Sequence, residues 1–98
     1  MTINKVQEND KLTFNLEGRL DTTTAPELDK EIKQSLSGIT NLVLNFSGLS
    51  YLSSAGLRVI LAAQKQMSKQ GKMVVCNVNE TIMDVFKVTG FVNILTIE

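Results

Sequence analysis

The stretch NLVLNFSGLSYLSSAGLRVILAAQKQMSKQGKMVVCNV, residues 41–78, decides the fold. Its first part, Asn41–Phe46, is a short continuous apolar run, which is typical of a strand covered on both faces. Helical spacing of apolar residues follows from about Ser54 to Gln70, and Gly71 is placed to end that helix in a left-handed cap. Lys72–Val78 is a second apolar run and predicts another buried strand. Strand, helix and strand in this order form a β-α-β unit, which has parallel strands and a right-handed crossover.

The residues before this unit predict a β-hairpin. Apolar and polar residues alternate in Ile3–Gln7 and again in Leu12–Leu16, which indicates two half-buried strands. The polar segment Glu8–Lys11 is the predicted connection between them. Gly18 is expected to end the second strand or to mark a bulge.

A first helix is predicted between the hairpin and the β-α-β unit. Thr24 and Glu27 have the spacing of a capping box, and Pro26 is tolerated in the first turn of a helix. Gly38 is the expected C-terminal stop. The predicted buried face of this helix consists of Ala25, Leu28, Ile32 and Leu36.

The C-terminal residues predict one more helix and one more strand. Asn79 is a suitable cap for a helix over Glu80–Val88, and Gly90 is suited to end it. Phe91–Ile97 then reads as a final apolar strand. The predicted order is therefore β-β-α-β-α-β-α-β. We expect one α/β domain over residues 1–98, with a single mixed sheet of about five strands packed with helices.

Composition and charge exclude several classes of function. Ten basic residues balance ten acidic ones, so the clustered positive charge of a nucleic-acid-binding protein is missing. No apolar stretch approaches the length of a membrane span, and the polar N-terminal residues lack the apolar segment of a signal peptide. We therefore expect a cytoplasmic protein without direct nucleic-acid binding or membrane insertion, and either a monomer or a weak dimer.

The absence of certain residue types excludes several kinds of chemistry. Without histidine there is no phosphohistidine transfer, no Ser-His-Asp hydrolysis and no histidine-ligated metal. Cys76, the single cysteine, follows an apolar run and is expected to be buried and inert. One cysteine forms no internal disulfide, which fits a reducing compartment. We expect no catalytic residue, no metal site and no cofactor.

Four serines lie within eight residues on the connection between the central strand and the long helix: Ser47, Ser50, Ser53 and Ser54. Ser47–Ser50 is the predicted turn. Sites in open α/β sheets gather beyond the carboxyl ends of strands, where a helix N-terminus favours an anion such as phosphate. Serine is also among the best N-cap residues, so one of these hydroxyls is expected to cap the helix. Capping alone and a functional hydroxyl both remain open at this point.

The residue types in this connection exclude three more specific functions. A P-loop would need a lysine after its second glycine, and Arg58 is the first basic residue after Gly56. Asn45 stands where a phosphate-accepting aspartate would be needed and cannot form an acyl phosphate. A serine nucleophile would need a base nearby, and the chain contains no histidine. Modification of a hydroxyl by another enzyme remains compatible with the sequence.

Three ordered segments resemble STAS domains, and more specifically the bacterial anti-sigma factor antagonists. They are NFSGLSYLSSAGLRVIL (45–61), LEGRLDTTTA (16–25), and MVVCNV (73–78) followed by VFKVTGF (85–91). The resemblance spans essentially the whole chain, and the predicted element order is that of the STAS fold.

The resemblance implies a phosphate acceptor at Ser54, three residues before Leu57. Ser53 replaces the acidic residue that family members usually carry just before the acceptor, and it is a competing acceptor. Asp21 matches an acidic position of the partner-binding surface, although a carboxylate that stabilises the turn would also explain it. The implied partner-binding residues are Asp21, Thr22, Ser50, Ser53, Ser54, Ala55, Gly56 and Arg58.

The function implied by the resemblance is a switch by partner exchange. The unphosphorylated protein would bind an anti-sigma factor that is also a serine kinase, and a sigma factor would be freed. Phosphorylation by that kinase would reverse the binding, and a serine phosphatase would reset the protein. One alternative is a STAS scaffold or regulatory subunit of a stress-signalling or membrane transport complex, which would need no phosphorylation. A small enzyme or nucleotide-binding protein on the same fold is another.

Overall fold

A computed structural model describes all residues, 1–98, as one five-stranded sheet with three α-helices. The order of strands and helices confirms the prediction. The elements are β1 (Thr2–Glu8), β2 (Lys11–Leu20), α1 (Ala25–Ser35), β3 (Asn41–Leu52), α2 (Ser54–Gln70), β4 (Lys72–Cys76), α3 (Glu80–Thr89) and β5 (Thr96–Ile97), with a 3₁₀ turn at Phe91–Asn93 between α3 and β5.

The sheet is mixed, as expected, and its strands lie in chain order, β1-β2-β3-β4-β5. β1 and β2 form the antiparallel hairpin, whereas the other neighbouring strands are parallel. The predicted final strand is mostly wrong. The chain from Phe91 to Asn93 is a 3₁₀ turn, and only Thr96 and Ile97 pair with β4. Gly90 adopts a left-handed conformation at the end of α3, so the chain turns there before it can reach the sheet.

The helices cover one face of the sheet. Leu12, Phe14 and Leu16 of β2 lie on this face, and Leu42 and Leu44 of β3 pair with the first two in register. Together with the apolar sides of all three helices they form one buried cluster of 24 residues. The prediction that Asn41–Phe46 is covered on both faces is wrong, since its alternate residues Val43 and Asn45 are only half-buried.

β3 is longer than predicted and includes the segment Ser47–Ser50, which is not a turn. β3 stays paired with β2 as far as Leu52, and two register shifts absorb the irregular part. Gly18, with φ +100°, lies at the second shift, which confirms the predicted bulge. Because both strands continue past these bulges, their carboxyl ends lie side by side.

The helix ends differ in part from the sequence predictions. Thr24 precedes α1, but its side chain makes no capping bond to the helix, so the predicted capping box is wrong. Gly71 does end α2, although in an extended conformation with φ 173° rather than a left-handed one. Glycine is required there because a Cβ atom would collide with the carbonyl oxygen of Thr40. Asn79 caps α3 as predicted, since its Oδ1 accepts the amide of Ile82 at 2.8 Å.

Two burial predictions are wrong as well. In β1 only Ile3 is partly buried. β1 is an edge strand, and its next positions on the helix side, Lys5 and Gln7, are polar and exposed. Cys76 is half-buried rather than fully buried, since it lies at the end of β4 on the sheet face that no helix covers. None of the three helices combines the length and the apolar character needed to cross a membrane.

Candidate functional site

The candidate site lies at the adjacent carboxyl ends of β2 and β3. The backbone N–H of Ser53 donates to the carbonyl of Leu20 at 2.9 Å and ties the two strand ends together. Asp21 is the next residue after Leu20, and Ser54 is the next residue after Ser53. The two sequence segments that carry the predicted site residues are therefore neighbours in space.

The two adjacent serines have different environments. Ser53 is half-buried and is the N-cap of α2, with its Oγ accepting the amide of Gly56 at 3.3 Å. Ser54 is the first helical residue, its side chain is exposed, and its hydroxyl makes no hydrogen bond within the chain. Capping therefore occupies the Ser53 hydroxyl and leaves the Ser54 hydroxyl free for an incoming group.

The remaining predicted residues of α2 differ in accessibility. Arg58 is exposed, one turn after Ser54, and forms no ion pair. Ala55 is half-buried. Gly56 is buried beneath the surface, and a Cβ atom there would lie 2.7 Å from Leu20 Cγ and 2.7 Å from a methyl group of Leu52. Gly56 therefore lets α2 approach the strand ends closely and is not itself on the exposed surface.

Asp21 organises the turn between β2 and α1. Its Oδ1 accepts the Thr23 hydroxyl at 2.8 Å, the Thr23 amide at 3.0 Å and the Thr24 amide at 3.1 Å. The hydrogen bond from the Thr23 hydroxyl contributes most to a lowered pKa, about 2 against an ordinary 3.8; desolvation opposes the shift, and the backbone bonds support it. Asp21 therefore does serve the turn, and its Oδ2 also faces outward to Arg19 at 3.6 Å.

Ser50 and Thr22 complete the set of predicted site residues. Ser50 is exposed, and its hydroxyl donates to the carbonyl of Gly18 at 3.0 Å across the bulged strands. Thr22 is exposed and makes no side-chain hydrogen bond. Apart from Gly56, all the predicted site residues are at least partly accessible. We give the name serine surface to the four exposed ones together with Ser53: Thr22, Ser50, Ser53, Ser54 and Arg58.

Sequence reasoning missed two residues of this region, Arg19 and Tyr51. They are partners in the β2–β3 register, and the Arg19 guanidinium carbon lies 4.1 Å from the centre of the Tyr51 ring. Tyr51 is one of few large apolar side chains that stay exposed, at 39%. The sequence does show an aromatic residue two positions before Ser53, but the residue opposite it depends on both bulges, and the sequence indicates only the one at Gly18.

The shape of the site is that of a contact surface. The structure contains two hollows, and neither of them is lined by residues of the serine surface. One, of about 430 Å³, lies between α1 and α2 near Ile32 and Ala63. The other, of about 480 Å³, lies beside β1 near Lys5 and Ser35. Small substrates are usually bound in concave pockets, whereas protein partners meet flatter surfaces. The arrangement offers a free hydroxyl on an open surface.

Fold and site together define a small α/β domain that presents a serine at the start of the helix after its third strand. The chain belongs to the STAS domain family, whose model matches residues 2–98. It is 34% identical over 84 residues to BtrV of Bordetella bronchiseptica, a protein named as an anti-sigma factor antagonist; the match covers 84% of this chain and 72% of BtrV. It is also 31% identical over 94 residues to the anti-sigma-B factor antagonist of Bacillus subtilis, covering 95% of this chain and 85% of that protein.

Solved structures agree with the fold. The crystal structure of an anti-sigma factor antagonist from Mycobacterium paratuberculosis superposes with a TM-score of 0.89 at 21% identity, covering 98% of this chain and 83% of that one. The unphosphorylated form of the anti-sigma factor antagonist SpoIIAA gives a TM-score of 0.78 at 18% identity, covering 99% of this chain and 87% of that one. The resemblance and the fold class inferred from the sequence are thereby confirmed.

Proposed function

We propose that this protein is a cytoplasmic anti-sigma factor antagonist, built as one STAS domain over residues 1–98. In its unmodified form it binds an anti-sigma factor that is also a serine kinase, and a sigma factor is released. Phosphorylation of Ser54 ends this binding, and a serine phosphatase restores it. The names of the curated relatives support the antagonist role.

One observation carries the choice of Ser54. Its hydroxyl is exposed and without a hydrogen bond, whereas the neighbouring Ser53 hydroxyl is engaged as the cap of α2. A kinase must bring the γ-phosphate of ATP to the hydroxyl oxygen, so a free hydroxyl on an accessible surface is the better acceptor. The Ser54 oxygen bonds to the γ-phosphorus as the bond to ADP breaks, and the hydroxyl proton passes to a base of the kinase.

The position of Ser54 suits a switch that leaves the fold intact. A phosphate adds about −1.5 to −2 charges in the middle of the contact surface, where it opposes a partner shaped for a neutral hydroxyl. Within the chain the same charge is favourable, because it stands at the positive end of α2. Arg58 is one helical turn away without an ion pair, so it is available to the phosphate. The phosphate thus weakens the complex more than it disturbs the domain.

The protein itself contributes no catalysis in this proposal. The serine surface is not part of a pocket, and the chain contains no histidine that could serve Ser54 as a base. The kinase and the phosphatase supply the chemistry, and this chain supplies the hydroxyl and the docking face. Purified protein incubated with ATP and magnesium alone should therefore neither hydrolyse ATP nor label itself.

The decisive experiment uses the anti-sigma kinase encoded in the same genome. Wild type, Ser54→Ala and Ser53→Ala are each incubated with that kinase and ATP, and the modified residue is located by mass spectrometry. Ser53→Ala is the matched control, which loses a cap worth about 0.5–2 kcal/mol but keeps the acceptor. We expect phosphate on Ser54 in wild type and in Ser53→Ala, and none in Ser54→Ala. Phosphate on Ser53, or no phosphate with a kinase that is active on another antagonist, would contradict the assignment.

A further inference from the structure

Arg19 and Tyr51 form an exposed pair beside the serine surface. We propose that Arg19, held on the ring of Tyr51, anchors the complex by binding a carboxylate of the anti-sigma factor. This inference rests on the proposed function and adds to it the chemistry by which the partner is recognised.

The Arg19 side chain is both exposed and held in place. It is 60% exposed, yet its guanidinium lies over the Tyr51 ring at 4.1 Å, a distance that indicates a cation–π interaction. Its Nε faces Asp21 Oδ2 at 3.6 Å. An arginine held on two sides loses less side-chain freedom when it binds a partner than a free one does.

The guanidinium keeps unused donors in this position. Asp21 lies on the Nε side, and neither terminal nitrogen of Arg19 has a hydrogen-bond partner in the chain. The contact to Asp21 is long, at 3.6 Å, and involves only Nε, so it leaves the terminal N–H groups free. The free N–H groups form the planar fork that binds a carboxylate with two parallel hydrogen bonds.

The backbone beneath the pair is also fixed. The Thr24 hydroxyl donates to the carbonyl of Arg19 at 2.8 Å, and the Ser50 hydroxyl donates to that of Gly18 at 3.0 Å. Both bonds lie at the bulge where the register shifts between Gly18 and Arg19. This bulge brings Tyr51 opposite Arg19, because each bulge moves the pairing of the two strands by one residue.

A protein carboxylate fits this pair better than a small anion does. The pair lies on a surface without a hollow, so a free anion would stay hydrated and exposed there. Arginine and tyrosine are enriched among the residues that dominate protein–protein binding energy. An acidic side chain carried on the partner's surface would instead be covered on binding, which strengthens its hydrogen bonds to the guanidinium.

The test measures the dissociation constant of the complex with the purified anti-sigma kinase by titration calorimetry. Arg19→Ala should weaken binding at least tenfold, and Arg19→Lys should weaken it by a smaller factor, since lysine keeps the charge but loses the planar fork. Arg19→Glu should weaken it more than Arg19→Ala, because it places a negative charge against the carboxylate. Lys11→Ala is the matched control: Lys11 is an exposed cation at the other end of β2, and its loss should change the affinity less than twofold.

The outcomes separate this inference from the proposed function. If wild type binds the anti-sigma kinase and Arg19→Ala binds equally well, the Arg19 inference is wrong and the antagonist role stands. An Arg19→Glu variant that binds as well as Arg19→Ala would also overturn it, since a carboxylate partner would then be absent. If wild type does not bind the anti-sigma kinase, the proposed function fails first and this inference fails with it.

Discussion

Asp21 shows how one carboxylate serves both the turn and the surface. Its Oδ1 accepts hydrogen bonds from Thr23 and Thr24, while its Oδ2 faces Arg19. Hydrogen bonds to the charged form lower the pKa of the carboxyl group to about 2. The hydrogen bonds of the turn therefore favour the ionised form of Asp21.

The lowered pKa of Asp21 predicts how the stability of the fold depends on pH. Because the folded value lies below the ordinary 3.8, the ionised carboxylate stabilises the fold fully above that value, and the stabilisation is lost as the pH falls toward 2. A carbon-13 NMR titration of the carboxyl group should give a midpoint near 2. Thr23→Val removes the hydroxyl donor and should raise the midpoint, whereas Thr22→Val, beside it but without a bond to Asp21, should not. A wild-type midpoint at the ordinary value would contradict the hydrogen-bonded turn.

Gly56 is the residue at which the site depends most directly on packing. A Cβ atom there would come within 2.7 Å of side-chain carbons of Leu20 and Leu52, both buried. Gly56→Ala should therefore destabilise the protein by about 1–3 kcal/mol, although alanine usually stabilises a helix relative to glycine. Denaturant unfolding measures this, with Ser68→Ala on the exposed side of α2 as a control expected to change stability by less than about 0.5 kcal/mol. A Gly56→Ala variant as stable as wild type would show that the two leucines move aside easily.

At the scale of elements, α2 carries the proposed switch at its N-terminus. The first turn contains no acidic residue, and a lysine, Lys69, lies in the last turn. The positive end of the helix dipole is therefore without a negative partner in the unmodified protein. A phosphate on Ser54 would supply this negative charge.

This arrangement predicts opposite effects at the two ends of α2. Ser54→Asp should keep or raise the free energy of unfolding, by up to about 1 kcal/mol, because an acidic side chain favours a helix N-terminus. Ser68→Asp, at the matched exposed serine near the C-terminus, should lower it by a similar amount, since that end of the helix dipole is negative. Only Ser54→Asp should also weaken binding to the anti-sigma kinase. A strongly destabilised Ser54→Asp would mean that the phosphate acts by disturbing the domain and not its contact surface.

At the scale of the whole molecule, we expect the central strands to be the most stable part of the fold. Side chains of β2, β3 and β4 reach into the core from beneath the helices, whereas β1 is an exposed edge strand and β5 has only two residues. Buried apolar contacts determine which backbone hydrogen bonds open only with global unfolding. The serine surface lies at the ends of β2 and β3, which supply many of the core side chains, so we expect it to be among the more rigid parts of the molecule.

Amide hydrogen exchange tests this distribution. The amides of Leu42 and Leu44, inside the sheet and in the core, should exchange only through global unfolding. Those of Lys5 and Val6 in the edge strand should exchange faster. The residue-specific rates can be followed by NMR in the unmodified protein and again after phosphorylation at Ser54. Edge-strand amides as protected as those of β3 would contradict the unequal stability described above.

The sequence alone determined the features that depend on neighbouring residues. Helix α2 begins at Ser54 and ends at Gln70 as predicted, and Asn79 caps α3, because capping and apolar spacing act within a few residues. The element order and the parallel pairing follow from the same local signals together with the chirality of β-α-β units.

Only the tertiary structure decided the features that depend on residues far apart in the chain. Pairing with β2 extends β3 to Leu52, and it brings Arg19 against Tyr51, which lies 32 positions later in the sequence. The helices cover only one face of the sheet, and Cys76 lies on the other face, so it stays half-buried. Only the three-dimensional structure shows that the Ser53 hydroxyl caps α2 while the Ser54 hydroxyl makes no hydrogen bond, since the two are adjacent serines at the same helix N-terminus. The physical reason is that strand pairing and burial are set by contacts between distant segments, and these contacts override local preference.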